Sequence, residues 1–142
     1  MRLPLAMILK TLNAEKYATI IGTPLRRVLE NIENLLQHDS AIRIHIPIIP
    51  EFNNTREDYQ CFVNYLASFA EKLRGVDILP FHSYGSSKYT YLGLDPDYKY
   101  KNVRDLADID VISLVDALKA VHVRKVSIGG LVGIGEKYKG RD

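Results

Sequence analysis

The chain has 142 residues, of which 46% are hydrophobic and 25% are charged, and its formal net charge is +2. This composition is ordinary for a soluble globular protein with one domain and a modest core. The net charge is too small to favour nucleic-acid or membrane binding. One cysteine excludes a disulfide framework and fits a reducing compartment, so we expect a cytoplasmic protein. The apolar run Leu3–Leu9 is too short for a membrane span or a complete signal peptide.

The first part of the chain predicts one strand followed by two helices. These elements are a buried parallel strand over Leu3–Leu9, a short helix over Ala14–Ile20 and a longer helix that ends near Gln37. Asn13 is a typical capping residue for the start of the short helix, and Gly22 is a typical stop. Thr23 as the N-cap and Pro24 at the first helical position predict where the longer helix begins.

The rest of the chain continues the alternation of strands and helices. We expect a strand over Ala41–Pro47, a helix from Thr55 to Leu73, a strand over Val76–Pro80, a loop over Phe81–Asn102, a helix over Asp105–Val121 and a strand over Val123–Ile128. Thr55 and Asp58 match a capping box at the start of the middle helix. Gly75 is expected to supply the stop at its carboxyl end.

This order of elements predicts an α/β fold built as a partial (β/α) barrel with parallel strands. A full barrel needs about 250 residues, so only half of one fits in this chain. Active sites of barrels lie at the carboxyl ends of the strands. Lys10, the Pro47–Asn54 loop and His82 all fall at predicted strand ends. Arg43 and His45 share one face of their strand, because side chains alternate along a strand.

Four motifs, in chain order, carry a resemblance to one enzyme family. They are Leu9-Lys10 with Asn13, Glu15 and Lys16; Ile46–Asn54; Leu79–Tyr89 followed by Leu92-Gly93; and Ile128–Gly130. They resemble D-L-K-x-M-N-x-E-K, I-P-L-I-P-G-x-N-D, L-P-Y-H-x-x-G-x-x-K-Y-x-x-L-G and I-G-G of the glycyl-radical-enzyme activating enzymes, which are radical S-adenosylmethionine (SAM) proteins. The resemblance implies the C-terminal half of a radical SAM type barrel over residues 1–130, with 131–142 as a flexible basic tail.

The signature that binds the iron–sulfur cluster in this family is missing from the chain. Family members hold a [4Fe–4S] cluster with three cysteines spaced C-x3-C-x2-C, and one thiolate cannot replace three. The chain contains only Cys61. The resemblance implies a longer protein that makes a 5′-deoxyadenosyl radical from SAM and abstracts hydrogen from a glycine of a partner glycyl-radical enzyme. We expect this chain to be inactive alone.

The resemblance also implies residues that face SAM. Lys10 matches a lysine that contacts the carboxylate of SAM, and His82 matches a histidine that lies against the adenosyl part. The alternatives are a solvated lysine at a strand end and a loop histidine bonded to local backbone. Ile8 stands where the family has an acidic residue, which weakens the implied SAM site.

Three further residues are candidates for the same pocket. His45 stands where the family commonly has the arginine of R-x-P, and Arg43 lies two residues earlier on the same face. Histidine lacks the permanent charge and the fork of arginine. Asn53 matches an asparagine in a loop that borders the SAM pocket, although a structural role in a turn is the alternative. A metal pair formed by His45 and His82 has no third ligand with recognisable spacing, so no metal site is assigned.

Other functions remain open at this point. The chain could be a non-catalytic module that binds a partner polypeptide, half of a split activase whose N-terminal half carries the cysteines, or a fragment. Uncovered strand edges in a half barrel favour self-association. The glycines of Gly129–Gly135 are not followed by a helix, which argues against a phosphate loop. The tyrosines between Tyr84 and Tyr100 lack the basic groove of a nucleic-acid platform.

Overall fold

The computed structural model describes residues 5–38, 41–80 and 108–129. Its elements in chain order are β1 (Leu5–Ile8), α1 (Ala14–Ile21), α2 (Leu25–Gln37), β2 (Ile42–Ile48), α3 (Arg56–Ala67), β3 (Gly75–Pro80), α4 (Ile112–Ala120) and β4 (Val126–Ile128). Short 3-10 helices occupy Ala70–Lys72 and Asp108–Val111. The predicted loop Phe81–Asn102, with His82, and the predicted tail 131–142 lie outside the described residues.

The four described strands form one sheet in the order β1-β2-β3-β4, and each pair of neighbours is parallel. Strands that follow one another in sequence order are joined by crossovers that all run in one direction across the sheet. Because such crossovers are almost always right-handed, they place the connecting helices on the same face. This winding is that of a barrel rather than of a doubly wound sheet. The structure therefore confirms the predicted α/β class and is consistent with a partial barrel.

The core lies between the sheet and the helices. Four isoleucines of β2 point towards the helices and are fully buried: Ile42, Ile44, Ile46 and Ile48. They belong to one cluster with side chains from three helices: Ile32 and Leu36 from α2, Phe62 and Leu66 from α3, and Leu114 and Leu118 from α4. Burial of this apolar face is the main force that holds the helices against the sheet.

Two helix starts follow their predicted capping chemistry. The Asn13 side chain accepts a hydrogen bond from the Lys16 backbone N–H at 2.9 Å, and Gly22 ends α1 with a φ of 89°. At α3, the Thr55 side chain accepts from the Asp58 N–H, and the Asp58 carboxylate accepts from the Thr55 N–H. Both caps satisfy backbone groups that the first turn of a helix leaves without partners.

The predicted boundaries of two helices are wrong. Helix α2 begins after Pro24, which is itself the N-cap residue, so Thr23 does not cap it. Helix α3 ends at Ala67 rather than at Leu73, and Gly75 is the first residue of β3 rather than a helix stop. The chain leaves the α-helix at Ser68, passes through the 3-10 turn Ala70–Lys72 and joins the sheet at Arg74, whose N–H donates to the carbonyl of Ile42 at 2.8 Å.

The later boundaries also differ from the sequence-based expectation. The α-helix predicted over Asp105–Val121 is α-helical only from Ile112, after the 3-10 turn, and residues 101–107 are not described. Strand β4 begins at Val126 rather than at Val123. No helix in residues 5–38, 41–80 and 108–129 combines the length and apolar character needed to cross a bilayer.

A polar cluster and a strand-end lysine form the candidate ligand site

The face of the sheet opposite the buried isoleucines carries a polar cluster. Arg43 and His45 come from β2, Asp77 from β3 and Ser127 from β4, and we call these four residues the Asp77 cluster. The parallel register places His45 beside Asp77 and Asp77 beside Ser127. Strand pairing therefore brings together side chains that are far apart in the sequence.

The carboxylate of Asp77 is the centre of this cluster. Arg43 donates to it twice, from Nε to Oδ2 at 3.0 Å and from a terminal guanidinium nitrogen to Oδ1 at 2.7 Å. His45 Nε2 lies 2.9 Å from Oδ2, and the Ser127 hydroxyl donates to Oδ1 at 2.5 Å. The paired, fork-shaped contact of Arg43 is the geometry in which arginine binds a carboxylate most strongly.

These contacts determine the charge state of Asp77. Burial by itself would raise the pKa of this carboxyl group, but the hydrogen bonds from His45, Arg43 and Ser127 outweigh burial and hold the pKa well below its usual range. Asp77 is therefore ionised at neutral pH. Two of its partners are the candidate ligand-binding residues of β2. Both of these side chains therefore already contact a negatively charged group of the protein itself.

Gly75 makes room for this arrangement. A Cβ atom at this position would lie 2.9 Å from both terminal guanidinium nitrogens of Arg43 and 2.8 Å from a backbone oxygen. Side chains do not tolerate such distances, so any larger residue at the start of β3 would displace the guanidinium. The glycine that looked like a helix stop in the sequence is instead a packing requirement of the Asp77 cluster.

Lys10 follows β1 and lies at the carboxyl end of the sheet. Ile8, two residues earlier, is the register partner of His45, so Lys10 continues the row of residues that leads past the cluster. The Lys10 side chain is partly buried, and this burial lowers the pKa of its ammonium group. A partly desolvated ammonium group at a strand end is suited to bind a carboxylate.

Asn53 lies in the loop after β2 and is fully buried. Its amide nitrogen donates to the backbone oxygens of Lys10 and Pro47 at 2.7 and 2.6 Å, and its Oδ1 accepts from the Ile49 N–H at 2.8 Å. Asn53 therefore has a structural role, which was the alternative in the sequence analysis, because its side chain joins the ends of β1 and β2.

The residues of this chain do not fit an iron–sulfur cluster. Cys61 is exposed on α3, and a [4Fe–4S] cluster needs several thiolates close together. In the described part of the chain, no three histidine, cysteine, aspartate or glutamate side chains are grouped so that they could hold a metal ion.

The structure describes four of the five predicted site residues and brings them together in two separate pairs. Arg43 and His45 meet at Asp77, the Asn53 side chain donates to the Lys10 carbonyl, and His82 lies outside the described residues. The sequence analysis missed Asp77 and Ser127. Asp77 carried a signal that could have found it, because a charged residue stands between apolar residues in a strand predicted to be buried.

Comparisons with known proteins find relatives over most of this chain. The chain is 43% identical over 126 residues to the benzylsuccinate synthase activating enzyme of Thauera aromatica, covering 89% of the chain and 38% of that relative. It is 30% identical over 122 residues to the pyruvate formate-lyase 2-activating enzyme of Escherichia coli, covering 86% of the chain and 40% of that relative. The chain thus spans about two-fifths of the length of these relatives. No family model matches it.

A solved structure has the same fold. It is the crystal structure of a domain of pyruvate-formate lyase-activating enzyme from Bacteroides vulgatus, which superimposes with a TM-score of 0.68 at 20% identity. The match covers 89% of this chain and 66% of that chain. A parallel sheet whose crossovers all run in one direction is consistent with a partial barrel. The sequence relatives place this domain among the glycyl-radical-enzyme activating enzymes, and the chain corresponds to part of such a protein.

Proposed function

We propose that the chain is the C-terminal, SAM-binding part of a glycyl-radical-enzyme activating enzyme. The observation that carries the proposal is the similarity over 89% of the chain to an enzyme of this kind. The partly buried Lys10 supports it, because this residue follows β1 and a barrel places its ligands at the carboxyl ends of the strands. The single cysteine is compatible with a reducing cytoplasm, which is the compartment we propose.

In this proposal each residue has a defined part. Lys10 binds the carboxylate of SAM, and the His82 imidazole lies against the adenosyl part. His45 and Arg43 form the polar floor beside them, with Asp77 holding both. Bound SAM supplies the 5′-deoxyadenosyl group that activating enzymes use on a glycine of a partner glycyl-radical enzyme. The chain alone is inactive in this proposal, because it has no ligands for the cluster that cleaves SAM.

A chimera tests this function directly. The matched region of the Thauera aromatica relative is replaced by residues 9–129 of this chain, so that the relative supplies the cysteines. We expect the chimera to form 5′-deoxyadenosine from SAM and to produce the glycyl-radical signal on benzylsuccinate synthase in electron paramagnetic resonance. The same chimera with Lys10→Met should lose most of both activities. A chimera that folds and holds its iron but neither cleaves SAM nor forms the radical would refute the proposal.

A second candidate function is a non-catalytic module or half of a split activase. The specific observation is β1, which pairs only with β2 among the described strands and exposes 48% of Leu5. An edge strand with an exposed apolar side chain is a site for pairing with another chain. Light scattering after gel filtration should then show either a dimer or a complex with a separately produced cysteine-containing half. If the chain stays monomeric and does not bind that half, the second candidate function is wrong and the first proposal remains.

A further inference from the structure

The buried amide of Asn53 uses both of its donors at one junction. Its nitrogen has two N–H groups and donates to two carbonyl oxygens, those of Lys10 and Pro47, while its oxygen accepts from the Ile49 N–H. The side chain has no exposed surface. An amide in this state has no N–H group left to donate to a ligand, and its oxygen is not exposed to accept from one.

The junction needs a side chain because of Pro47. The pairing of β1 with β2 continues to the Leu9 N–H, which donates to the carbonyl of His45 at 2.9 Å. Pro47 is the next residue of β2 on that side, and it has no N–H to donate to β1. The backbone hydrogen bonding between β1 and β2 therefore ends at Pro47. Beyond this point, the side-chain amide of Asn53 links the ends of the two strands.

This link fixes the main chain on both sides of Lys10. On the amino-terminal side, the Leu9 N–H is hydrogen-bonded to β2. On the carboxyl-terminal side, the Asn53 side chain is hydrogen-bonded to the Lys10 carbonyl. The buried Thr11 then accepts from the Asn13 N–H at 3.0 Å, which turns the chain into α1. With its backbone held in this way, the partly buried side chain of Lys10 starts from a fixed position at the strand end.

We propose that Asn53 is the positioning residue for Lys10, so that it acts on a carboxylate ligand through Lys10 without touching the ligand. This inference rests on the proposed function, since it assigns to SAM binding a residue that holds the SAM-binding lysine. It also differs from the expectation that Asn53 lines the pocket. Asn54 provides the natural comparison, because its side chain accepts from the Glu51 N–H within the same loop.

The test compares Asn53→Ser with Asn54→Ser, using SAM and decarboxylated SAM as ligands in equilibrium dialysis. We expect Asn53→Ser to weaken SAM binding about tenfold, since a charge-assisted hydrogen bond is lost. The same substitution should leave the affinity for decarboxylated SAM unchanged. In a protein that already carries Lys10→Met, it should not weaken SAM binding any further. Asn54→Ser should change neither ligand. If a folded Asn53→Ser variant weakens both ligands equally, or neither, the inference is wrong.

A second readout does not need ligand binding, so it separates failure of this inference from failure of the proposed function. After reductive methylation with ¹³C, the Lys10 resonance is assigned by its absence in Lys10→Met and followed against pH. We expect its pKa to rise in the Asn53 variant, because the released ammonium group becomes more hydrated. The Asn53→Leu variant, which has a similar shape, lacks the N–H donors and carries no charge, serves if the serine variant is unstable. An unchanged Lys10 pKa in a folded variant overturns the inference whether or not SAM binds.

Discussion

Replacement of Asp77 by asparagine should destabilise the protein substantially. The asparagine has the same shape, but it removes the negative charge that receives bonds from Arg43, His45 and Ser127. The Arg43 side chain is only 26% exposed, so water cannot fully replace the lost partner. An asparagine N–H group would also point at donors, which turns attraction into repulsion.

The size of the effect follows from the contacts. A hydrogen bond to a charged group contributes about 1.5–3 kcal/mol, and breaking a fully buried ion pair costs about 3–5 kcal/mol. Because the Asp77 cluster is only partly buried, we expect a loss of about 2–3 kcal/mol. For a domain of this size that loss lowers Tm by roughly 10 °C. The exposed Asp116 on α4 is the matched control, and its change to asparagine should alter stability by less than about 0.5 kcal/mol.

The assay is urea unfolding followed by circular dichroism from pH 7 down to pH 3. Folding lowers the pKa of Asp77, so the carboxylate stabilises the fold above the pKa of an unfolded aspartate, about 4. That stabilisation is lost as the pH falls from there towards the folded pKa. The difference between the wild-type protein and Asp77→Asn should therefore shrink below about pH 4. A difference below about 0.5 kcal/mol at pH 7, or one that does not shrink below about pH 4, would refute the reasoning.

Two other substitutions test the backbone. Gly75→Ala should cost about 1–3 kcal/mol in the same urea assay, because its Cβ would collide with the Arg43 guanidinium. Gly129→Ala is the control, since its Cβ would meet its nearest neighbour at an ordinary 3.4 Å; equal losses at the two glycines would argue against the collision. Glu51 has a φ of 66° at a position where the family motif has glycine, so Glu51→Gly should raise stability by about 1 kcal/mol. Glu30→Gly inside α2 should lower stability by about as much, and a loss at both glutamates would show that Glu51 is not strained.

Much of the fold could be predicted from the sequence because its signals are local. The caps at Asn13 and Thr55 depend on residues within three positions of each other, and both form as expected. The alternation of apolar strands with amphipathic helices was enough to predict a parallel sheet and a partial barrel. The predicted end of α3 was wrong because the apolar spacing continues to Leu73, while the chain leaves the α-helix after Ala67 and makes a 3-10 turn over Ala70–Lys72.

The candidate site was predictable only in part. The motif positions selected Lys10, Arg43, His45, Asn53 and His82, and sequence order alone placed several of them at strand ends. The sequence could not indicate which partners these residues have. Asn53 looked like a turn residue or a pocket residue, and its bond to the Lys10 carbonyl spans 43 positions of the chain.

The sequence by itself determined the type and order of the elements and the family to which the chain is related, since periodicity, capping and motifs are written in neighbouring residues. Only the tertiary structure decided that Arg43 and His45 meet on Asp77, with Ser127 joining from β4. Those contacts depend on the register of parallel strands, and a shift of one residue would turn Asp77 to the other face of the sheet. Register is set by the packing of the whole core against the helices, which no short stretch of sequence contains.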